Sequence, residues 1–275
     1  MRLFLNSVAM RCLSPTLLLA ATASACDNPF AYSYLAETLK QGEREIEQFI
    51  TGRLGKDLGG GYDARYRAFD LRTELEYGVT AVDQVELTLD QTYMDSASRE
   101  ALRFRGVGLE YIRMLAHPDE NPWGRALYLE AIYSQSSPHD GHLRERWILE
   151  AKYLLQHNFG PDSDWMYVAN LGIEGLHTAG GEDAFELILT QGIACQLTAE
   201  WSAGLEAVAA SEWLEGAEFE ESGVLAGPCL NYRQGGFSTT LTILAQLAGA
   251  PSDKGDLNVA EYSPYEVRLV VSCEF

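Results

Sequence analysis

The last stretch of the chain, Tyr265-Glu266-Val267-Arg268-Leu269-Val270-Val271-Ser272-Cys273-Glu274-Phe275, decides how the rest is read. Taken alternately, Tyr265, Val267, Leu269, Val271, Cys273 and Phe275 put apolar or aromatic groups on one side, while Glu266, Arg268, Ser272 and Glu274 make the other mostly polar. A period of two is that of a β-strand whose successive side chains point to opposite faces. The strand closes on an aromatic, and nothing after it covers the apolar face. It is expected to have apolar surroundings outside and a wet interior.

The same pattern recurs upstream. In 69–79, Phe69, Leu71, Leu75, Tyr77 and Val79 interleave with Asp70, Arg72, Glu74 and Glu76; in 85–93, Val85, Leu87, Leu89 and Tyr93 interleave with Glu86, Thr88, Asp90 and Thr92. A helix would scatter these charges around its surface, whereas a strand segregates them. A turn at 80–84 makes the two a hairpin. The rule extends to about twelve strands, at 43–54, 67–79, 83–94, 103–115, 123–134, 143–156, 164–175, 184–196, 200–210, 223–232, 236–247 and 264–275. Their lengths reach the ~9–11 residues that a tilted strand needs to cross a bilayer. An even number suits a bacterial barrel. Connections alternate between compact ones (80–82, 117–122, 157–163, 197–199, 233–235) and longer or intermediate ones (55–65, 95–102, 135–142, 177–183, 211–222, 248–263), as an up-and-down barrel requires.

Composition agrees without deciding. No apolar run is long enough for a membrane helix after the N-terminus. Residues 1–25 read as a secretory signal, with Arg2 and Arg11, an apolar stretch around Leu17, Leu18 and Leu19, and the small residues Ala23, Ser24 and Ala25 before Cys26. Cys26 also raises a lipid-modified N-terminus, against which stands Ala23 where such signals usually carry Leu. Residues 26–42 lack alternation and are expected to form a periplasmic lead-in to a barrel of 43–275. Removing the signal, which has two Arg and no acid, takes the net charge from −20 to −22. Such a chain has no footprint for a phosphate backbone, so nucleic acid is excluded as a partner.

The strings Ala68-Phe69-Asp70-Leu71-Arg72-Thr73-Glu74-Leu75-Glu76-Tyr77-Gly78-Val79-Thr80 and Trp201-Ser202-Ala203-Gly204-Leu205-Glu206 resemble an uncharacterised family of Gram-negative outer-membrane barrels, over most of the chain beyond the signal. The resemblance implies location and fold, and carries no activity or catalytic residue. The C-terminal strand resembles the segment that the barrel-assembly machinery recognises in such proteins. That machinery and outer-membrane lipid are the expected partners.

On this register Arg72, Glu74, Glu76, Glu86, Glu110, Glu130, Arg144, Arg146, Glu150, Lys152, Glu174, Glu186, Glu206, Glu266 and Arg268 point to the lumen. A Lys or Arg on the lipid face costs about 2–4 kcal/mol at mid-membrane. Glu145 breaks the parity and is expected near an interface. The lumen charges either pair across strands and plug the barrel or form an acidic, cation-preferring passage. The acids Glu212, Glu215, Glu218, Glu220 and Glu221 read as a solvated outer loop. Gly59-Gly60-Gly61-Tyr62-Asp63 reads as flexible loop rather than a calcium turn. His139 and His142, beside Asp140 and near Ser134, Ser136 and Ser137, could serve a metal or a hydrolase, but no third group supports them. No catalytic residue, metal or cofactor is assigned. Cys195, Cys229 and Cys273 fall on separate strands and are expected as free thiols.

The sequence therefore points to an all-β, antiparallel, up-and-down transmembrane barrel of the outer membrane. Its expected work is passage or binding of small polar or cationic solutes, without enzyme activity. The alternatives are a plugged structural or envelope-interaction barrel and a surface hydrolase. A soluble sandwich or lipocalin-like barrel would alternate too, but would bury its apolar face.

Overall fold

The computed structural model describes residues 28–56, 66–96, 99–136, 143–161, 163–181, 183–214 and 218–275. They form twelve antiparallel strands: β1 Arg44–Lys56, β2 Tyr66–Gly78, β3 Asp83–Ser96, β4 Arg99–Ala116, β5 Gly124–Ser136, β6 Leu143–Phe159, β7 Trp165–Thr178, β8 Ala184–Gln196, β9 Trp201–Leu214, β10 Glu218–Gln234, β11 Phe237–Ala250 and β12 Tyr265–Glu274. Each strand pairs with its sequence neighbours, and β12 closes the sheet on β1 with Ile50 opposite Leu269. The Phe275 amide donates to the Arg44 carbonyl at 3.0 Å, just beyond that seam.

Polarity runs inside out. Thr88, Thr92 and Glu110 are fully buried, while Leu109, Leu149 and Leu171 are 62%, 65% and 63% exposed. Leaving one such leucine in water forgoes about 1.5–3 kcal/mol. A band of them around a closed sheet belongs in hydrocarbon, which excludes the soluble barrel. Aromatic girdles flank the band. At one end Trp123 stacks on His157, His157 on Phe159 and Phe159 on Trp165, with Trp201 against Tyr232; at the other, Tyr133 packs on Trp147 and Phe185 on Trp213. Such belts sit at membrane interfaces. The first end carries the connections 79–82, 117–123, 160–164, 197–200 and 235–236; outer-membrane barrels keep their short turns on the periplasmic side, so it is termed the inner end.

Two outer connections differ from expectation. Residues 95–102 and 211–222 are mostly ladder: Ser96 pairs with Arg99, and Glu221 pairs with Glu212. Where both faces of the sheet meet water, the alternation of polarity fades and pattern alone ends a strand too early. Glu212 and Glu221 are therefore strand residues, not a solvated loop. Glu145 lies two residues from the outer end of β6, exposed. The glycines 59–61, His139 and His142, the signal 1–25 and Cys26 lie outside the described residues.

Two segments enter the barrel. Residues 251–264 fold back into its outer end, with Asn258, Val259 and Ser263 buried. The inner end is crossed by residues 28–39, which bury Phe30, Leu35, Ala36 and Leu39.

Candidate functional site: an acidic lumen under a strap

The crossing segment has no strand partner, so its backbone must bond to side chains. Glu206 on β9 accepts from the Ala31 amide at 2.9 Å and the Tyr32 amide at 3.0 Å. Asn170 on β7 accepts from the Tyr34 amide at 2.7 Å and donates to the Tyr34 carbonyl at 3.0 Å. Gln156 on β6 and Gln84 on β3 accept from the Ala36 and Leu39 amides, at 3.0 and 2.6 Å. Thr240 on β11 and Arg268 on β12 donate to the Asn28 and Ala31 carbonyls. Strands on every side thus hold one strap. Phe30 seats in the notch over Gly192, where an added Cβ would stand 2.6 Å from its ring. The Arg268 guanidinium lies 3.8 Å from the Tyr32 ring centroid, and the Lys152 ammonium lies 4.6 Å from that of Tyr34 and 4.3 Å from that of Tyr128.

Beyond the strap the lumen is acidic in a regular way. Across ten of the twelve strand pairs, glutamate stands directly opposite glutamate: Glu274 with Glu45, Glu45 with Glu76, Glu76 with Glu86, Glu86 with Glu110, and Glu110 with Glu130. The series continues from Glu130 to Glu150, Glu174, Glu186, Glu212 and Glu221. Eleven consecutive strands, β12 and β1 to β10, each contribute one.

Barrel geometry turns this row into a ramp. Strands tilt by ~40° and lie ~4.8 Å apart, so each step along the rung direction climbs ~3 Å, and ten steps climb ~30 Å. That exceeds the ~25 Å apolar band of an outer-membrane barrel. The strand ends agree, since Glu45 is the second residue of β1 at the inner end and Glu221 is the fourth of β10 at the outer end.

Arg72 ion-pairs with Glu74, Glu110 and Glu130, and Lys152 with Glu150 at 2.8 Å. The Gln84 amide, a neutral group, donates to Glu76 at 2.6 Å and Glu86 at 2.8 Å. A cavity of about 100 Å³ between strap and wall is lined by Glu45, Glu47, Glu74, Glu76 and Glu86 together with Ser33, Tyr34 and Glu37 of the strap. A second, of about 270 Å³, lies toward the outer end among Glu174, Glu186, Glu212 and Glu221, with Arg72, Arg105, Arg146 and Tyr262.

Of the residues expected in the lumen, Glu76, Glu86, Glu110, Glu130, Glu150, Glu174 and Glu186 are rungs of the ramp, and Glu74 and Arg72 adjoin it. Glu206 and Arg268 hold the strap instead, and Glu266 accepts from the Tyr32 hydroxyl at 3.2 Å. Arg146 reaches the outer cavity, while Arg144 is exposed at the outer end of β6. Sequence reading missed Glu45, put Glu212 and Glu221 in a solvated loop, placed Glu274 on the polar face of the last strand without counting it among the lumen residues, and also missed the strap's amide partners Asn170, Gln156 and Gln84. A signal existed: these uncharged amides occupy lumen positions on a face otherwise rich in glutamate. The described cysteines, Cys195, Cys229 and Cys273, are free thiols.

The sequence matches a family of unknown function, DUF6662, over residues 22–275. The chain belongs to that family. No curated protein matches it. Among solved structures, the COG4313 outer membrane channel from Pseudomonas putida F1 is similar at a TM-score of 0.58 and 11% identity, covering 87% of this chain and 98% of that one. The NanC porin is similar at 0.51 and 8%, covering 84% and 98%. The β domain of the Bordetella autotransporter BrkA is similar at 0.50 and 11%, covering 85% and 99%. At these identities the likeness is one of fold: this DUF6662 chain has the fold of outer-membrane barrels.

Proposed function

We propose that this barrel resides in the outer membrane and binds and passes small cations, without catalysing a reaction. The observation that carries this reading is the glutamate ramp. Like charges directly opposite one another destabilise a sheet. At ~5 Å and an effective dielectric of ~20, one adjacent pair repels by about 3 kcal/mol. Mobile cations relieve that repulsion, and rings of carboxylates select cations by charge. The fold shared with a protein described as an outer membrane channel supports the same reading.

The strap favours a second reading, a closed barrel that serves the envelope structurally. Single-channel recording separates the two. The mature chain, refolded and placed in a planar bilayer under a salt gradient, should give currents whose reversal potential marks cation preference. Glu174→Gln with Glu186→Gln should reduce that preference. Silence from protein verified as folded and inserted would favour the structural reading.

A further inference from the structure

We propose a discrete binding site for a hard divalent cation of the Ca²⁺ class in the barrel wall, built from Glu74, Glu86 and Glu110 with the Thr88 hydroxyl. It rests on the same acidic lumen as the transport reading but not on conduction. One carboxylate oxygen from each of the three glutamates lies within 4.8 Å of the others, and all three side chains are buried. Oxygens no farther apart than that can share one cation at the Ca–O distance of ~2.3–2.6 Å, and the flexible six- to eight-fold oxygen shell of Ca²⁺ suits a set of carboxylates fixed in a wall better than the near-octahedral shell that Mg²⁺ demands.

Charge alone would not make a site. Among the described residues, two buried oxygens at or next to it have no hydrogen-bond donor or acceptor: Glu110 Oε2 and Thr88 Oγ1. Both residues are fully buried. Arg72 takes Oε1 of Glu110 and leaves Oε2 unsatisfied. Thr88 stands directly opposite Glu74 and two residues from Glu86 on the same face of β3. Its hydroxyl leans over Gly108, 2.4 Å from where a Cβ would be, and Glu130 Oε1 is 3.0 Å from the same point. Gly108 in turn lies two residues from Glu110 on β4. The hydroxyl thus lies beside Glu130 Oε1 in the notch over Gly108, on the lumen face that carries Glu74, Glu86 and Glu110. A buried hydroxyl or carboxylate oxygen left without a partner carries a desolvation cost that a bound cation offsets.

The charge balance asks for an ion of this kind. With all four carboxyls ionised, Arg72 sets one positive charge against Glu74, Glu110 and Glu130, which leaves two negative charges, and Glu86 adds a third. A divalent cation nearly cancels the remainder. The cavity of about 100 Å³ reaches Glu74 and Glu86 and has room for the waters that complete a six- to eight-fold oxygen shell. Through Gln84, which donates to Glu86 and accepts from the Leu39 amide, the site also touches the strap.

The test is calorimetric titration of the refolded, EDTA-treated full chain in detergent with CaCl₂, repeated with MgCl₂. One saturable Ca²⁺ site is expected, with weaker Mg²⁺ binding, and Ca²⁺ should raise the thermal midpoint. Glu86→Gln should weaken Ca²⁺ binding at least tenfold. Thr88→Val, which keeps side-chain volume and charge, should weaken it several-fold, and guards against a folding defect in the charge variant. Glu218→Gln, on an exposed outer acid, should leave it unchanged. Absence of saturable heat, or binding that survives both Glu86→Gln and Thr88→Val, overturns the site. If cation-selective currents persist while saturable Ca²⁺ binding is absent, this site fails and the transport reading stands; Ca²⁺ binding without current gives the converse.

Discussion

Releasing the strap should open the inner mouth, and Glu206 is the side chain whose loss ought to do it. Its two carboxylate oxygens accept from the Ala31 and Tyr32 amides and from the Thr242 hydroxyl, at 2.9, 3.0 and 2.7 Å, in a site where the residue is 2% exposed. A hydrogen bond to a charged group contributes about 1.5–3 kcal/mol net. The two that hold the strap therefore contribute about 3–6 kcal/mol toward its docking. Glu206→Ala removes both, and with ~1.4 kcal/mol per factor of ten the undocked population should rise roughly a hundredfold to ten-thousandfold. The strap keeps its anchors at Asn170, Gln156 and Gln84, so the barrel itself should remain folded. The assay is labelling of Ser33→Cys by a bulky water-soluble maleimide in a chain whose native cysteines are replaced by serine, since Ser33 is 2% exposed when the strap is docked and Cys273 is an exposed thiol. Labelling should be slow with Glu206 in place and faster by at least a hundredfold with Glu206→Ala. Equal rates in the two backgrounds, from protein shown to be folded by heat-modifiable mobility, would refute the idea that these bonds hold the strap.

Three further outcomes follow from the same geometry. Arg72→Met leaves Glu74, Glu110 and Glu130 without their shared cation and should lower stability by about 3–5 kcal/mol, read as a drop in the urea midpoint for folding into vesicles. Leu171→Arg puts a charge on the lipid face of β7 and should cost about 2–4 kcal/mol in vesicles, but far less if that face meets water. Burial, followed by the charges of Glu186, Glu221, Glu212 and Glu261, holds the Tyr262 phenol well above its ordinary pKa. The folded loop keeps a proton that the unfolded chain gives up near pH ~10, so Tyr262 contributes stability below that pH and loses it as the pH rises further. The fall in thermal midpoint above pH ~10 should accordingly be shallower in Tyr262→Phe than in the native chain.

The fold was legible because the two faces of each strand meet opposite solvents. In 85–93, where Leu87 is 46% exposed and Glu86, Thr88, Asp90 and Thr92 are buried, strict alternation also placed the strand ends well. It failed at 211–222, where Ser211, Glu212, Glu220 and Ser222 lie in sheet that has polar residues on both faces. The strap was harder still. Asn28 to Leu39 has no strand partner, and its bonds run from backbone to distant side chains such as Glu206, 175 residues away from Ala31. Such pairings leave no period to read. The one trace is an amide where neighbouring strands carry an acid, as at Gln156 and Asn170.

The ramp lies between these cases, and explains why parity was not enough. Alternation can assign Glu86, Glu110 and Glu130 to one face, but it says nothing about height, because a slip of two residues keeps the face and breaks the row. Register is set by turns and bulges, including the shift in β4 between the partners of Asp90 and Gln91 that brings Phe104 rather than Arg105 opposite Gln91. Eleven strands nevertheless bring a glutamate to the same rung line. Ion pairing as the sole purpose would place bases opposite acids, as Arg53 reaches Asp70 at 2.8 Å elsewhere in the lumen. Along the ramp the residue opposite a glutamate is the next glutamate, and bases such as Arg72 and Lys152 approach from neighbouring positions around its middle. That arrangement is costly while the carboxylates are ionised and unscreened, and it is the physical ground for the proposal that cations occupy this lumen.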